Sequence, residues 1–411
     1  MRPVSVIVVS HGRETALKRC LKALRQLSYP NLELVVVADR RSLAALQGLP
    51  QAMGIKTAPC DAENISLARN LGLGLAAGEV VAFVDDDAVP EPTWLTHLAA
   101  AFDDEEVAAA GGYVRGRNGI SWQWRAAWVD GCGERHDLSL PGVRPVVLHP
   151  KPGRAIKTEG TNMAFRREVI AGIGGFDPAF RFFLDETDVN LRLARAGHAT
   201  AIVPLAEVHH GFAESARRRT DRVPRDLFEI GASHAAFLLR HCPERERAAQ
   251  QVRFAEEQRR RLLRHMVAGR LEPRDVRRLM ARLAAGFAEG ADRAPTPLPA
   301  LPHAAAPFAA LPPRPALRPK VTCGRWWHRA RLRHQAAHDV AAGHVATALI
   351  FSLTAAYGRV SFTPAGVWEH SGGQFGKSER SGRFFTLRSL RRKCDAEITR
   401  IRRVRGLGPH A

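Results

Sequence analysis

Five apolar residues, Val80 to Val84, run directly into three carboxylates, Asp85, Asp86 and Asp87. An apolar run of this length without polar alternation suits a strand buried on both faces, and such strands belong to parallel sheets covered by helices. Three adjacent carboxylates repel one another and resist leaving water, so a fold that keeps them together usually supplies a cation. The carboxyl end of a strand in an open α/β sheet is also where a ligand crevice opens. The run therefore predicts a buried parallel strand that delivers acids to a metal-assisted site for a phosphate-bearing ligand. A solvated acidic turn is the plain alternative.

The flanking pattern agrees with an α/β sheet. Residues 4–9 read as a first strand, and leucines at positions 17, 21, 24 and 27 mark an amphipathic helix over Thr15–Leu27. A turn at Tyr29, Pro30 and Asn31 leads to a second strand, Leu34–Val37, ended by Asp39. Ile65–Ala76 read as a helix with Gly78 close behind it, before the strand at Val80. Strand–helix–strand alternation of this kind predicts a parallel sheet with right-handed crossovers. Residues 111–155 are rich in Gly, Trp and Arg and read as an irregular substrate loop. Its Trp122, Trp124 and Trp128 would stack on sugar or lipid, or simply pack the loop down. Glu186–Ala196 read as a helix opening with acids, and Arg245–Phe287 as charged helix.

The 411 residues, 45% of them hydrophobic, suffice for two domains. The net charge of +20 is uneven. Residues 1–245 hold 30 basic and 29 acidic side chains, whereas residues 246–411 hold 31 and 12. The expected division is 1–245 as the catalytic domain, 246–290 as a charged helical segment, 291–320 as a semi-rigid linker with nine prolines, and 321–411 as a basic accessory domain. The six cysteines are scattered without a C-x-x-C pair, so neither a zinc site nor a disulfide framework is expected, and a reducing compartment follows. The chain enters a strand within a few residues, and no apolar run reaches the roughly 18 residues of a membrane span. A cytoplasmic protein, peripheral at the inner face of the membrane, is the expectation. Arg388–Arg405 combine arginines with Leu390, Ile398, Ile401 and Val404. That segment suits either an anionic membrane surface or a charged helix packed on its own domain.

Over residues 1–215 the chain resembles the family 2 glycosyltransferases of GT-A fold. The resemblance rests on motifs in the family's order: Ser5–Arg13 for the first strand and loop, Val35–Asp39 for the second, S-x-A-R-N-x-G at Ser66–Gly72, and Phe83–Asp87 where the D-x-D motif belongs. Glu159–Arg167 with Gly174–Asp177, and the acidic Asp185–Asp188 with its helix, follow on the acceptor side. The resemblance implies a three-layer α/β/α sandwich with a mostly parallel central sheet and a helical, basic C-terminal extension. It also implies an inverting, metal-dependent enzyme moving a sugar from a nucleoside-diphosphate sugar, a UDP-sugar first among these, to a hydroxyl of a saccharide, lipid or polymer.

Site roles follow from that resemblance. Mn²⁺ or Mg²⁺ would neutralise the diphosphate leaving group. Asp87 is the expected first ligand, with Asp85 sharing the ion or facing ribose and Asp86 structural or solvent-facing. His209 and His210 sit where family members often place a further histidine contact to the ion or the phosphate. Asp39 would bind base or ribose, although Arg40 and Arg41 follow it where the family usually has small residues. His11 and Gly12 lie in the nucleotide loop, and Arg69 would reach a diphosphate oxygen or lie on a helix surface. Gly160 and Asn162 belong to the acceptor segment, with Asp188 an acceptor contact or a first-turn acid. The base expected to deprotonate the acceptor is Glu186, with Asp185 as its alternative, because the family's Glu-Asp order is swapped here.

Ser371–Ser378 nearly spells a phosphate-binding loop, but its first position is Ser371 rather than glycine and no good buried strand is expected before it. A Gly/Ser turn is expected instead. Two other classes compete: a nucleotidyltransferase with the same acid-bound metal, and a nucleic-acid binder suggested by charge alone. Nucleic acid is not the expected partner, and near-neutral residues 1–245 leave the C-terminal half as its one plausible site.

Overall fold

The structure is a computed structural model that describes residues 1–312 and 318–408. Residues 313–317 of the expected linker and 409–411 of the expected accessory domain lie outside the described residues.

A ten-stranded mixed sheet organises the first half. Its main path runs Val146–Leu148, Ala199–His210, Val107–Arg115, Met163–Arg166, Val80–Asp85, Val4–Ser10, Leu32–Ala38 and Lys56–Pro59. The strand Val4–Ser10 lies parallel to both Leu32–Ala38 and Val80–Asp85. Leu32–Ala38 is parallel to Lys56–Pro59, and Ala199–His210 to Val107–Arg115. Met163–Arg166 enters antiparallel between Val80–Asp85 and Val107–Arg115. The short strands Ala88–Pro90 and Trp122–Trp124 pair off this path.

The strands look uniformly apolar because both faces are covered. Val4, Val6 and Val8 meet one layer with Leu17, Leu21 and Trp94. Ile7, Val35, Val37 and Phe83 meet the other with Leu73, Phe176 and Leu193. Alternate residues of one strand thus feed opposite cores, and the result is the three-layer α/β/α arrangement expected from the sequence. Phe83 is buried and meets the Phe165 and Phe176 rings edge-on at 6.1 and 5.2 Å. Each such ring contributes roughly 1.5–3 kcal/mol by leaving water.

Residues 111–155 are more regular than their composition suggests. Ala127–Asp130 is the central strand of a three-stranded antiparallel sheet, flanked by Arg154–Ile156 and Arg135–Asp137. Strands of three or four residues are too short to show a period in sequence.

Beyond the large sheet come three helices, Phe228–His241, Glu244–Val267 and Pro273–Ala291. A capping box between Glu272 and Asp275 and a proline at the first turn start the last of these. The proline-rich segment then lies back along the large domain. Leu301 and Leu311 donate backbone hydrogen bonds to Ala171 and Leu32 at 2.9 and 2.7 Å, and Ala309 donates to the buried Glu33 carboxylate.

The C-terminal extension contains a second sheet, with strands in the order Pro319–Arg325, Val345–Ser352, Trp368–Gly373 and Arg359–Phe362. The first three are parallel. Ser371 therefore sits within a strand, not at the start of a phosphate loop, and the next helix begins only at Leu390. Lys377 Nζ turns to the Arg380 carbonyl, away from any such loop. The small sheet packs on the large domain through Ala23, Val89, Val345, Val360, Phe362 and Trp368.

The cysteine expectation is corrected. Cys132 pairs with Cys242 and Cys323 with Cys394 as disulfides, with Cα atoms 4.6 and 6.5 Å apart. The partners are 110 and 71 residues apart, a spacing no local motif signals. Only Cys20 and Cys60 remain free thiols, so the cysteines do not point to a reducing compartment. No helix among the described residues is long and apolar enough to cross a membrane.

Candidate active site

The carboxyl ends of the parallel strands bring the acids together. Asp86, at the middle of the triplet, is buried and accepts from Ser10 Oγ at 2.6 Å while Arg13 pairs with it at 2.7 Å. Burial, reinforced by Asp87 and Asp85, pushes its carboxyl up to about 7 against the pull of Arg13. Asp86 is thus the structural member of the triplet.

Asp87 is equally buried but better served. Ala213 N donates to its Oδ2 at 2.7 Å, Arg13 approaches the same oxygen at 3.3 Å, and His210 Nε2 lies 3.2 Å from Oδ1. Burial would raise its carboxyl, yet His210, Arg13 and the Ala213 amide outweigh that and hold it well below the usual range. Ligand atoms of Asp85, Asp87 and His210 lie within 4.8 Å of one another. Opposite ligands of a small divalent ion sit roughly 4 Å apart, so the spacing of this group is of the order that one ion needs.

Two adjacent histidines on one strand point to opposite faces, which separates their roles. His210 also meets Gln123 at 3.2 Å and stacks on Trp124 at 5.8 Å. His209 instead bonds Glu91 at 2.9 Å and packs edge-on against Trp368. The structure brings His210 to the acids and His209 to the domain contact.

Asp39 ends its strand as expected, but its carboxylate is largely engaged. It caps the helix Arg40–Ala44 through Ser42 N at 3.0 Å, and accepts from Ser42 Oγ and from Gly12 N at 2.6 and 2.7 Å. Burial opposes ionisation there, and these donors prevail to hold it at about 2. Arg40 and Arg41 point outward onto Asp61 and Glu14. His11 is exposed, 4.0 Å from Glu63.

Arg69 joins the two halves of the site. Its buried guanidinium pairs with Asp185, lies 3.5 Å from Asp85 and donates to the Gly160 carbonyl at 3.3 Å. A Cβ at Gly160 would come within 2.7 Å of that guanidinium, so a side chain there would require Arg69 to shift. Asp185 and Glu186 open the helix Asp185–Arg195. The preceding Leu184 is left-handed, with φ 66°, a conformation that costs a non-glycine residue roughly 1–2 kcal/mol. Its side chain is held in a cluster with Phe180, Leu191 and Phe237.

The swapped acids differ sharply. Asp185 is buried, and desolvation with its neighbours Glu186 and Asp85 lifts its carboxyl to about 7 despite Arg69. Burial also opposes the Glu186 charge, but Lys157 Nζ at 2.6 Å wins and holds it at about 2. Lys157 in turn lies 3.6 Å from Glu159, which Arg135 also pairs at 2.7 Å.

Two residues expected on the acceptor side have partners within the protein. Asn162 is fully buried, accepting from Trp94 Nε1 and donating to the Tyr113 and Ala206 carbonyls, so its amide ties the sheet together. Asp188 is buried between His241 and Arg192, each at 2.8 Å, and anchors the helix Phe228–His241. Ser10, Arg13, Lys157 and Glu91 hold the site's charged groups without a role that the sequence alone predicts. Arg13 closes the first-strand motif, and that position was the one available signal for it.

The model of the family described as "Glycosyl transferase family 2" matches residues 5–174. A glucosyl-dolichyl phosphate glucuronosyltransferase from Haloferax volcanii is 29% identical over 42% of this chain and 56% of its own length. The pre-mycofactocin glycosyltransferase of Mycobacterium tuberculosis is 28% identical over 58% of this chain and 48% of its length. The chain thus spans about half the length of these two relatives. The succinoglycan biosynthesis protein ExoM of Rhizobium meliloti is 33% identical over 55% of this chain and 72% of its own length. With a relative this similar covered over most of its length, and the family's motifs gathered at one edge of one sheet, the chain belongs to glycosyl transferase family 2.

Proposed function

We propose that the protein is a metal-dependent, inverting glycosyltransferase that moves a sugar from a nucleoside-diphosphate sugar to a hydroxyl group of a saccharide or lipid-linked acceptor. The observation that carries this reading is the pairing of two acidic clusters across Arg69, one from the strand end at Asp85 and one from the helix start at Asp185. The chemistry has two charge demands, and each cluster answers one.

On the donor side, Asp85, Asp87 and His210 would hold the ion. Two carboxylates and an imidazole suit Mn²⁺ better than Mg²⁺. When bound, the ion neutralises charge on the departing diphosphate. Arg13 is close enough to Asp87 to add a second positive charge there. On the acceptor side, a carboxylate at Asp185 or Glu186 takes the proton of the attacking hydroxyl. The acceptor oxygen bonds to the anomeric carbon as the bond from that carbon to the diphosphate oxygen breaks, and the electron pair leaves with the diphosphate. Attack on the face opposite the leaving group inverts the anomeric centre.

The names of the relatives support lipid-linked and polysaccharide acceptors as the first to try. The test is a thermal-shift screen of UDP- and GDP-sugars with and without Mn²⁺, followed by product analysis. The expected result is a rise in melting temperature that requires both sugar nucleotide and Mn²⁺, with release of nucleoside diphosphate on adding acceptor. Release of pyrophosphate instead would overturn the reading in favour of a nucleotidyltransferase.

A further inference from the structure

The three parallel strands of the small sheet place their carboxyl ends on one edge. Trp326 and Trp327 follow the first strand and Leu353 follows the second, all three exposed. Tyr357, Phe384 and Leu387 are exposed in the loops that follow the second and third strands, with Phe384 62% and Leu387 80% exposed. These loops are tied together. Tyr357 meets Phe384 edge-on at 5.8 Å, and Phe385 packs against Phe375 at 5.5 Å. Thr386 N donates to the Phe375 carbonyl at 2.9 Å, and the Arg388 guanidinium bonds the Gln374 and Gly376 carbonyls at 3.0 and 2.8 Å. The lobe carrying Phe384 and Leu387 is therefore braced, and it presents large apolar side chains to water.

Cations surround this edge. Arg380, Arg383, Arg391 and Arg392 are exposed, and Lys377 Nζ lies 5.2 Å from the Tyr357 ring centre, against a single acid, Glu379, in residues 377–392. The terminal helix Leu390–Arg405 is a poorer candidate than its sequence suggests, since Cys394, Ile401 and Val404 are buried against the protein.

We propose that this aromatic edge docks the protein onto an anionic lipid bilayer. Leucines and phenylalanines gain from hydrocarbon, whereas a sugar-stacking platform has no use for Leu353 or Leu387. The arginine fringe complements lipid phosphates, and apolar insertion with basic attraction supplies the two signals that stable peripheral binding needs. The edge is also coupled to the site. Val360 N donates to the Asn118 carbonyl at 2.9 Å, and residues 118–121 lead into Trp122–Trp124, whose Trp124 stacks on His210.

The test is co-sedimentation of the full chain with vesicles of phosphatidylcholine plus phosphatidylglycerol, against vesicles of phosphatidylcholine alone. The variants are the pair Phe384→Ser with Leu387→Ser and the pair Arg380→Ser with Arg383→Ser, all at exposed positions, with unchanged melting temperature as the folding control. Strong binding to the mixed vesicles alone is expected, weakened about tenfold or more by each pair. The proposal is overturned if the wild type ignores the mixed vesicles, or if both pairs bind like the wild type. It is also overturned if a soluble acidic oligosaccharide removes binding that the Phe384/Leu387 pair leaves intact. The readout needs no glycosyl transfer, so its failure is separate from any failure of the catalytic reading.

Discussion

The two sheets of this protein use the same topological position for opposite chemistry. In the large sheet, the carboxyl ends of parallel strands lead into Asp39 and Asp85–Asp87. In the small sheet they lead into Trp326 and Leu353. Parallel strands make an edge where several loops converge, and the residue types just past each strand decide what that edge binds. At the acidic edge the protein supplies Arg13 and Arg69 as internal partners. At the aromatic edge the side chains remain exposed. The first edge is a built site, and the second is a surface that gains by docking.

The largest effect expected from this contrast is at Asp87. Asp87→Asn keeps the size of the side chain and removes its charge. We expect transfer to fall about 10³-fold or more, with loss of the Mn²⁺-dependent thermal shift. Phe384→Ser with Leu387→Ser should leave transfer to a water-soluble acceptor unchanged. A large loss there would break the separation of the two edges.

The next effect separates Asp185 from Glu186. A general base contributes about 10²–10⁴-fold, so its amide variant should lose that much while retaining donor binding. Asp185 and Glu186 also predict different pH profiles. A base must be ionised to accept a proton. If Asp185 serves, with its carboxyl at about 7, the rate falls as pH drops below about 7. If Glu186 serves, held at about 2 by Lys157 against burial, the rate stays flat through mildly acid pH. Asp185→Asn and Glu186→Gln assayed across pH decide it: the amide variant of the true base loses the rate, and an acid limb near pH 7 in the unsubstituted protein assigns that base to Asp185.

The acidic edge was largely legible in the sequence and the aromatic one was not, for physical reasons. Val80–Val84 showed an uninterrupted apolar run because its residues alternate between two buried layers, and Asp85–Asp87 marked where it ends. Period and punctuation suffice for that. The division of labour within the site was not visible, because it depends on partners distant in sequence. Asp188 reads as a first-turn acid until His241 arrives 53 residues later. Asn162 lies in the acceptor motif but is consumed by Trp94, Tyr113 and Ala206. His209 and His210 are indistinguishable as neighbours until the strand turns one toward Asp87 and the other toward Glu91. The small sheet escaped because Arg359–Phe362 and Trp368–Gly373 are short and the latter contains two glycines and a serine.

The smallest catalytic effect should come from the link between the two regions, which is nevertheless important to stability. Arg405, near the end of the terminal helix, reaches Glu91 with Nε–Oε2 and Nη2–Oε1 contacts of 2.9 and 3.1 Å, and both side chains are buried. Glu91 follows the strand Ala88–Pro90, and its other partner is His209, next to His210. Arg405 also lies 4.4 Å from the Trp368 ring centre. Removing one partner of a buried pair leaves the other charge uncompensated, so Arg405→Met should cost about 3–5 kcal/mol at neutral pH. Burial alone would raise the Glu91 carboxyl, but Arg405 and His209 hold it well below its usual range. Its folded value is therefore depressed. The stabilisation is complete above about 4.5, the ordinary glutamate value, and is lost as pH falls through the lower folded value. The penalty of Arg405→Met should accordingly be large in denaturant titrations at pH 7 and shrink in acid. At temperatures where the variant stays folded, transfer should fall only about tenfold or less, since Arg405 acts on His210 through Glu91 and His209 rather than on substrate. A loss as deep as that of Asp87→Asn would mean that the small sheet belongs to the catalytic edge itself, and the two edges would have to be treated as one.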